Sequence, residues 1–262
     1  MRYLVIFLLV IWPMTVPGGT QKSALWGFYG HRLITEMAIY TLPKSIIGFY
    51  KQNSAYLVEG SVKPDKRRYV VEAEGPRHYI DLDLYDHVDS IPKYWSDAVD
   101  RYGEDTLVAN GLGPWHTFFT YTNLVKAMEE GNEEAILDLS ADLSHYVADA
   151  NVPLHTTSNY NGQLTNQVGI HGFWESRIPE LFASDYDFFV GPAAYIDDPQ
   201  AQIWLSVHQA NQVLDSLFTL ERSITESFGV DKKYTYETRG KSLVKVPTKR
   251  FAQAYHDAFP FV

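Results

Sequence analysis

The sequence predicts an all-α protein, and three observations carry that prediction. Apolar residues recur at helical spacing through most of the chain. Prolines and glycines cut that pattern into helix-length pieces. No convincing set of alternating strands appears.

The pieces follow in order. His31 to Leu42 reads as a helix that stops at Pro43, and Lys44 to Val58 resumes it with Ile46, Ile47, Phe49, Tyr50 and Leu57. Gly60 to Arg68 reads as a polar loop containing Asp65. Arg77 to Leu84 is irregular or briefly helical. Pro92 to Tyr102 and Pro114 to Glu130 are helices, the second opening on a proline in its first turn and ended by Gly131. Glu133 to Ala150 is the clearest helix, with Ile136, Leu139, Leu143, Tyr146, Val147 and Ala150 on its apolar stripe. Pro153 breaks it, which puts His155 on a turn just past its end. Thr156 to Val168 is a Gly/Asn/Thr/Gln-rich loop, and His171 to Phe182 a short helix with Pro179 inside. After a loop from Ser184 to Pro199, Gln200 to Phe228 reads as one long amphipathic helix and Thr248 to Phe259 as the last.

The chain has 262 residues, enough for one domain with a large core. With 18 Tyr, 14 Phe, 6 Trp and 21% charged residues, the composition is not that of a disordered chain. Met1 to Trp12 reads as a secretory signal: Arg2 opens it, Leu4 to Trp12 is apolar, and Pro13 ends it. That run is about half the length a bilayer span needs. Residues 1–25 are therefore expected to be a signal peptide, and 26–262 one exported domain, periplasmic or extracellular. The cleavage context is poor, because Leu25 would precede the cut. The apolar end at Phe259-Pro-Phe-Val262 suggests an abbreviated C-terminus.

There is no cysteine, so any transition metal must sit on His, Asp and Glu. The net charge is −10, and removing residues 1–25 takes away Arg2 and Lys22 and no acid, which moves it to −12. That balance argues against charge-driven binding to duplex nucleic acid.

The chemistry lies in a spaced set of ligand-type residues. Asp65 and His78 read as D-x12-H, His145, Asp149 and His155 as H-x3-D-x5-H, and His171 and Glu175 as H-x3-E. Residues four apart on a helix share a face, so His145/Asp149 and His171/Glu175 can each grip one ion. A lone pair of this kind is more often structural; two pairs with a further His between them point to a multi-metal site. Imidazole and carboxylate donors suit zinc. The ligand count supports two ions with an open position, as catalytic sites have. Asp138 and Asp142 extend the His145 stripe and read as a solvated polar face.

The order Trp26-Gly-x-x-Gly-His31, Pro64-Asp65, His78, His145-x3-Asp149, His155, His171-x3-Glu175 resembles the zinc-dependent phospholipase C and single-strand-specific nuclease superfamily. The resemblance runs from Trp26 to about Phe182 and matches nine positions in order. It implies a single all-helical domain with a zinc cluster in a cleft, hydrolysing phosphodiesters with a zinc-activated water. It implies a first zinc on Asp65, His78, His145 and Asp149, and a second on His155, His171 and Glu175. It implies a third on His31 and the free amine and carbonyl of Trp26, with Asp149 as a bridge. Asp65 is the implied residue that orients or deprotonates the water. The chain departs from several relatives in lacking cysteines.

The two branches of that superfamily differ near the second zinc. Glu175 as the last ligand and the Asn/Thr-rich loop Thr156–Gln167 lean towards phospholipases, with a single-stranded nuclease as the alternative. A metal-stabilised binding domain without turnover is a third, remote reading. The partner is a phospholipid head group or a single nucleic-acid strand, with transient membrane-surface contact and no stable protein partner implied. Asn159, Tyr160 and Asn161 are either substrate contacts or ordinary turn residues. His116 either reaches the cleft or is a satisfied core histidine. Arg77 either steadies a phosphate or pairs with an acid. His87, His208 and His256 read as structural or surface residues.

Overall fold

The computed structural model describes residues 27–259 and is built mainly of helices. In chain order these are α1 (Phe28–Thr41), α2 (Ile47–Gln52), α3 (Ser54–Gly60), α4 (Lys63–Arg67), α5 (Trp95–Tyr102), α6 (Glu104–Asn110), α7 (Gly113–Glu130) and α8 (Glu133–Asp149). They continue as α9 (Ile170–Gly172), α10 (Ile178–Phe182), α11 (Pro199–Gln212), α12 (Leu214–Phe228), α13 (Val230–Lys233) and α14 (Lys249–Ala258). A 3-10 helix, Glu72–His78, ends on a candidate ligand, and a second, Pro153–Thr156, carries another. Among the described residues no helix is long and apolar enough to cross a membrane.

Local chemistry explains the best-defined boundaries. The Asn132 side chain accepts from Ala135 N at 3.1 Å and caps α8, while Glu133 and Glu134 complement its N-terminal dipole. Asp198 caps α11 and Thr248 caps α14 in the same way. Gly131 closes α7 in the left-handed conformation at φ 65.

Helix α8 is the central element and packs against α1, α3 and α7. Ala141, His145, Tyr146, Ala148 and Asp149 form its buried face. Three apolar clusters surround the ligand-bearing segments. One joins Ile39, Tyr50 and Leu57 to Ala141. A second gathers Ile80, Leu82, Leu107, Trp115, Trp204 and Val207. A third gathers Leu154, Ile170, Phe173, Ile178, Leu217, Phe251 and Tyr255. Each fully buried leucine here contributes roughly 1.5–3 kcal/mol, so the clusters set the helix positions to which the ligands are attached.

The structure differs from the sequence reading in several places. The expected polar loop at 60–68 contains α4, with Pro64 in its first turn. Asp138 on α8 stays half-exposed as expected, with Lys63 Nζ 2.8 Å away, but Asp142 is largely covered and has Arg67 Nη2 at 2.9 Å. The expected helix from Lys44 to Val58 is two, α2 and α3, divided at Asn53, whose side chain bonds back to Phe49 O at 3.0 Å.

The long helix expected from Gln200 to Phe228 divides at Val213 into α11 and α12. The reason is that one apolar stripe serves two separate clusters: Trp204 and Val207 enter the second, Leu217 the third. The short helix His171–Phe182 is interrupted by a π-turn at Phe173–Arg177. Pro179 has no N–H for the carbonyl four residues back, and a wider turn accommodates that.

A hairpin, β1 (Tyr234–Arg239) and β2 (Ser242–Pro247), was not anticipated. Its strands are antiparallel, with Arg239 opposite Ser242 and a two-residue turn at Gly240 and Lys241. Gly240 takes φ 60, as such turns require. Arg177 grips Glu237 of the hairpin at 2.5 and 3.1 Å, and Arg239 grips Glu180 at 2.8 and 3.2 Å. The hairpin thereby braces the turn that carries Glu175. The signal segment, Trp26 and Pro260–Val262 lie outside the described residues.

Candidate metal centre

The candidate ligands converge from seven separate elements. Asp65 comes from α4, His78 from the end of its 3-10 helix, and His145 and Asp149 from α8. His155 sits on the turn after α8, as its proline predicts. His171 is in α9, Glu175 in the π-turn, and His31 in the first turns of α1.

Three groups form, each with ligand atoms within 4.8 Å of one another. The first is Asp65, His78 and His145. His78 Nδ1 lies 3.0 Å from His145 Nε2 and 4.0 Å from Asp65 Oδ1. The second is His155, His171 and Glu175. There, His155 Nε2 and His171 Nε2 are 3.2 Å apart, and His171 Nε2 is 2.7 Å from Glu175 Oε2. The third is His31, His145 and Asp149, with His31 stacked on His145 at 4.0 Å.

Asp149 is where the groups meet. Its Oδ2 lies 2.9 Å from His78 Nδ1 and 3.2 Å from His145 Nε2. Its Oδ1 faces His31 Nε2 at 3.4 Å and His155 Nδ1 at 3.5 Å. The carboxylate thus turns one oxygen to the first group and the other towards His31 and His155.

This donor set fits zinc. Two nitrogens bound tetrahedrally to one zinc, each about 2.0–2.1 Å from it, stand about 3.3 Å apart. The His78/His145 and His155/His171 separations of 3.0 and 3.2 Å are close to that. Among the described residues, His31 Nδ1, Asp149 Oδ1 and His155 Nδ1 are buried without a hydrogen-bond partner. Such orphaned donors and acceptors are costly in an interior unless something binds there.

The electrostatics are those of a tightly coupled cluster. Burial alone would raise the Asp149 carboxyl, but His145, His155 and His78 outweigh it and hold it well below the usual carboxylate range. Burial likewise opposes ionisation of Glu175, and His171 overrides it, bringing the group to about 2. Burial pulls His145 down, but Asp149 pushes it up to about 9. His155 is pushed down to about 4, chiefly by burial. A cation here competes with protons for the same lone pairs.

Two candidate ligands receive hydrogen-bond support from backbone carbonyls. His145 Nδ1 lies 2.8 Å from Ser61 O, and His171 Nδ1 lies 3.0 Å from Tyr160 O. Such contacts fix the tautomer that presents Nε2 to an ion. Neither carbonyl was legible in the sequence, since a backbone acceptor carries no side-chain identity.

The centre opens to solvent on one side. Asp65, Glu175 and His171 have side-chain exposures of 17, 16 and 22%, against 4% or less for His31, His78, His145 and Asp149. Solvent therefore reaches the centre from the Asp65/His171 side. Arg68 stands on that rim, its Nη1 3.5 Å from Asp65 Oδ1, and its charge is also felt at His171.

The other candidates divide. Tyr160 presents an exposed ring 6.2 Å from that of His171. The Asn159 side chain is taken up by the turn, accepting from Leu164 N and donating to Thr165 Oγ1. Asn161 accepts from Gly169 N through its side chain. Both asparagines therefore hold the loop. His116 packs edge-on to Tyr146 at 4.7 Å and belongs to none of the three groups. Arg77 pairs with Glu74 at 2.7 Å, the second of its two readings.

The described chain begins against the centre. Gly27 N donates to Ser176 Oγ, and a Cβ at Gly27 would lie 2.7 Å from Glu175 Oε1. Only glycine fits there, at φ 87. Trp26, one residue earlier, lies outside the described residues.

A family model described as zinc dependent phospholipase C matches residues 30–236. The match includes all eight described candidate ligands, His31 to Glu175. No curated protein and no solved structure matches the chain.

Proposed function

The chain belongs to the zinc-dependent phospholipase C family of phosphodiester hydrolases, and we propose that it cleaves phospholipids at the centre described above. The observation that carries the reading is the convergence of three His/carboxylate groups around the two oxygens of Asp149. In this reading Asp65, His78, His145 and Asp149 hold one zinc, and His155, His171 and Glu175 a second. His31 and Asp149 hold a third together with the amine and carbonyl of Trp26. Zinc in such a site supplies Lewis acidity towards a phosphate oxygen and lowers the pKa of water.

The chain's own residues do the rest. Asp65 reaches the open face and orients the attacking water or accepts its proton. Arg68, on the same rim, offers a guanidinium to the phosphate as charge moves onto its oxygens. Ser61 O and Tyr160 O hold the His145 and His171 rings so that each lends a lone pair inward. Tyr69 and Val70, which follow Arg68 in the chain, are exposed, as are Tyr160, Leu164 and Val168 in the loop before His171. These apolar groups suit transient contact with a membrane surface. Export with removal of residues 1–25 completes the reading, because it would free the amine of Trp26. Intact-mass measurement of the exported protein tests that cut.

The activity test uses one purified batch on phosphatidylcholine vesicles and on denatured DNA. Release of diacylglycerol and the phosphorylated head group is the expected result. Cleavage of DNA alone would overturn the phospholipid reading in favour of the nuclease one.

A further inference from the structure

Behind His78, on the side away from the other ligands, lies a buried ionic network. Glu74 is 1% exposed and sits four residues before His78 on the same 3-10 helix. Its Oε1 accepts from Tyr146 OH and from Arg67 Nη2 at 3.2 Å. Its Oε2 accepts from Arg77 Nη1 at 2.7 Å. Arg67 also forks onto Asp142, with Nη1 to Oδ1 at 3.1 Å and Nη2 to Oδ2 at 2.9 Å.

The geometry separates the two nitrogens of His78. Nδ1 points into the ligand cluster, 2.9 Å from Asp149 and 3.0 Å from His145. Nε2 points the other way and has Glu74 Oε1 at 3.8 Å and no hydrogen-bond partner among the described residues. A histidine that binds a metal through one nitrogen usually donates the proton on the other to a carboxylate or carbonyl. His145 and His171 have such partners in Ser61 O and Tyr160 O. Glu74 stands where the missing partner of His78 would be.

Stability alone gives little reason for placing Glu74 there. A buried ion network is often no better for stability than apolar residues of the same volume. This one ties together three elements that carry ligands. Arg67 is two residues from Asp65 on α4, Tyr146 is next to His145 on α8, and Glu74 shares its helix with His78.

We propose that Glu74 is a positioning residue for the first metal site: its carboxylate takes the Nε2 proton of His78 and so fixes Nδ1 as the ligand atom. Arg67 and Tyr146, both bonded to Oε1, hold that atom in place for the contact. The 3.8 Å separation closes when Nδ1 binds a cation, because the ring N–H then becomes a stronger donor. The proposal rests on the zinc reading above, extends it beyond the ligands, and can fail separately from it.

The experiment titrates zinc into wild type, Glu74→Gln, Glu74→Asp and Arg77→Gln by chelator competition, alongside the melting temperature of each metal-free protein. Glu74→Gln is expected to weaken the tightest-coupled first ion by about 10–100-fold. Arg77→Gln, which loosens the network without removing the His78 partner, is expected to keep that affinity. Glu74→Asp keeps the charge but shortens the reach, and is expected to fall between wild type and Glu74→Gln. A long-range proton–nitrogen spectrum of zinc-loaded wild type is expected to place the His78 proton on Nε2. Unchanged affinity in Glu74→Gln, an equal loss in Arg77→Gln that follows melting temperature, or zinc bound at Nε2 would each overturn the proposal. Failure of wild type to bind zinc at all would instead overturn the reading on which it rests.

Discussion

His78 Nδ1 and Asp149 Oδ2 lie 2.9 Å apart although 71 positions separate them in the chain. That contact joins the segment after α4 to the end of α8. Through Asp149 it also joins the first ligand group to His31 and His155.

Asp65→Asn removes the carboxylate at the open face and leaves the neighbouring histidines in place. Turnover is expected to fall by about 10²–10⁴-fold, the usual scale for losing a general base. Metal content, measured by atomic emission on the same sample, is expected to be largely kept. Full activity in the variant would remove Asp65 from the role of base.

Chelation is expected to abolish activity, and added zinc to restore it. Metal analysis is expected to give two to three zincs per chain. A ligand at about a thousand times its dissociation constant stabilises the native state by about 4 kcal/mol, so the melting temperature should rise measurably on reloading. A thermal scan unmoved by zinc would contradict the centre.

Arg68→Gln is expected to lower kcat/KM by about tenfold, the cost of one charge-assisted contact of about 1.4 kcal/mol. The motive is its place on the rim, 3.5 Å from Asp65 and near His171. Kinetics on short-chain phospholipid would show it, and unchanged KM and kcat would place Arg68 outside the substrate path.

His116 offers a pH test outside the ligand groups. Burial first, then Arg77, pushes it down to about 4. A group with a lowered folded pKa binds fewer protons in the native state, so its contribution is fully present above its unfolded value of 6.5. That contribution is lost as pH falls from there towards 4. In chelator-treated protein, His116→Gln is therefore expected to flatten the stability loss between pH 7 and 4.5, by on the order of 2 kcal/mol. Denaturant titrations at both pH values measure it; parallel losses in both proteins would show that His116 does not titrate there.

Much of the centre was legible in the sequence because its strongest signals are local. His145/Asp149 and His171/Glu175 are neighbours by helical geometry, so four-residue spacing was enough to pair them. Pro153 foretold the turn that holds His155. Glu74 shares the same spacing with His78 and could have been found by it, but a carboxylate beside prolines and glycines gives no helical pattern. Asp142 looked solvated because its partner, Arg67, lies in a segment whose polar composition hid a helix. The hairpin escaped notice because its strands are short and mostly exposed, which weakens the alternation that marks a strand.

By itself the sequence determined the helical class, the donor types and the family to which they belong. It could do so because helix periodicity and metal preference depend on residue identity and on separations of a few positions. Only the tertiary structure decided that Asp149 stands between the groups, that Asn159 and Asn161 bond within their own loop, and that Ser61 and Tyr160 steady histidines through their carbonyls. Those relations join residues far apart in the chain or use backbone atoms every residue has, so they exist only once the helices have packed.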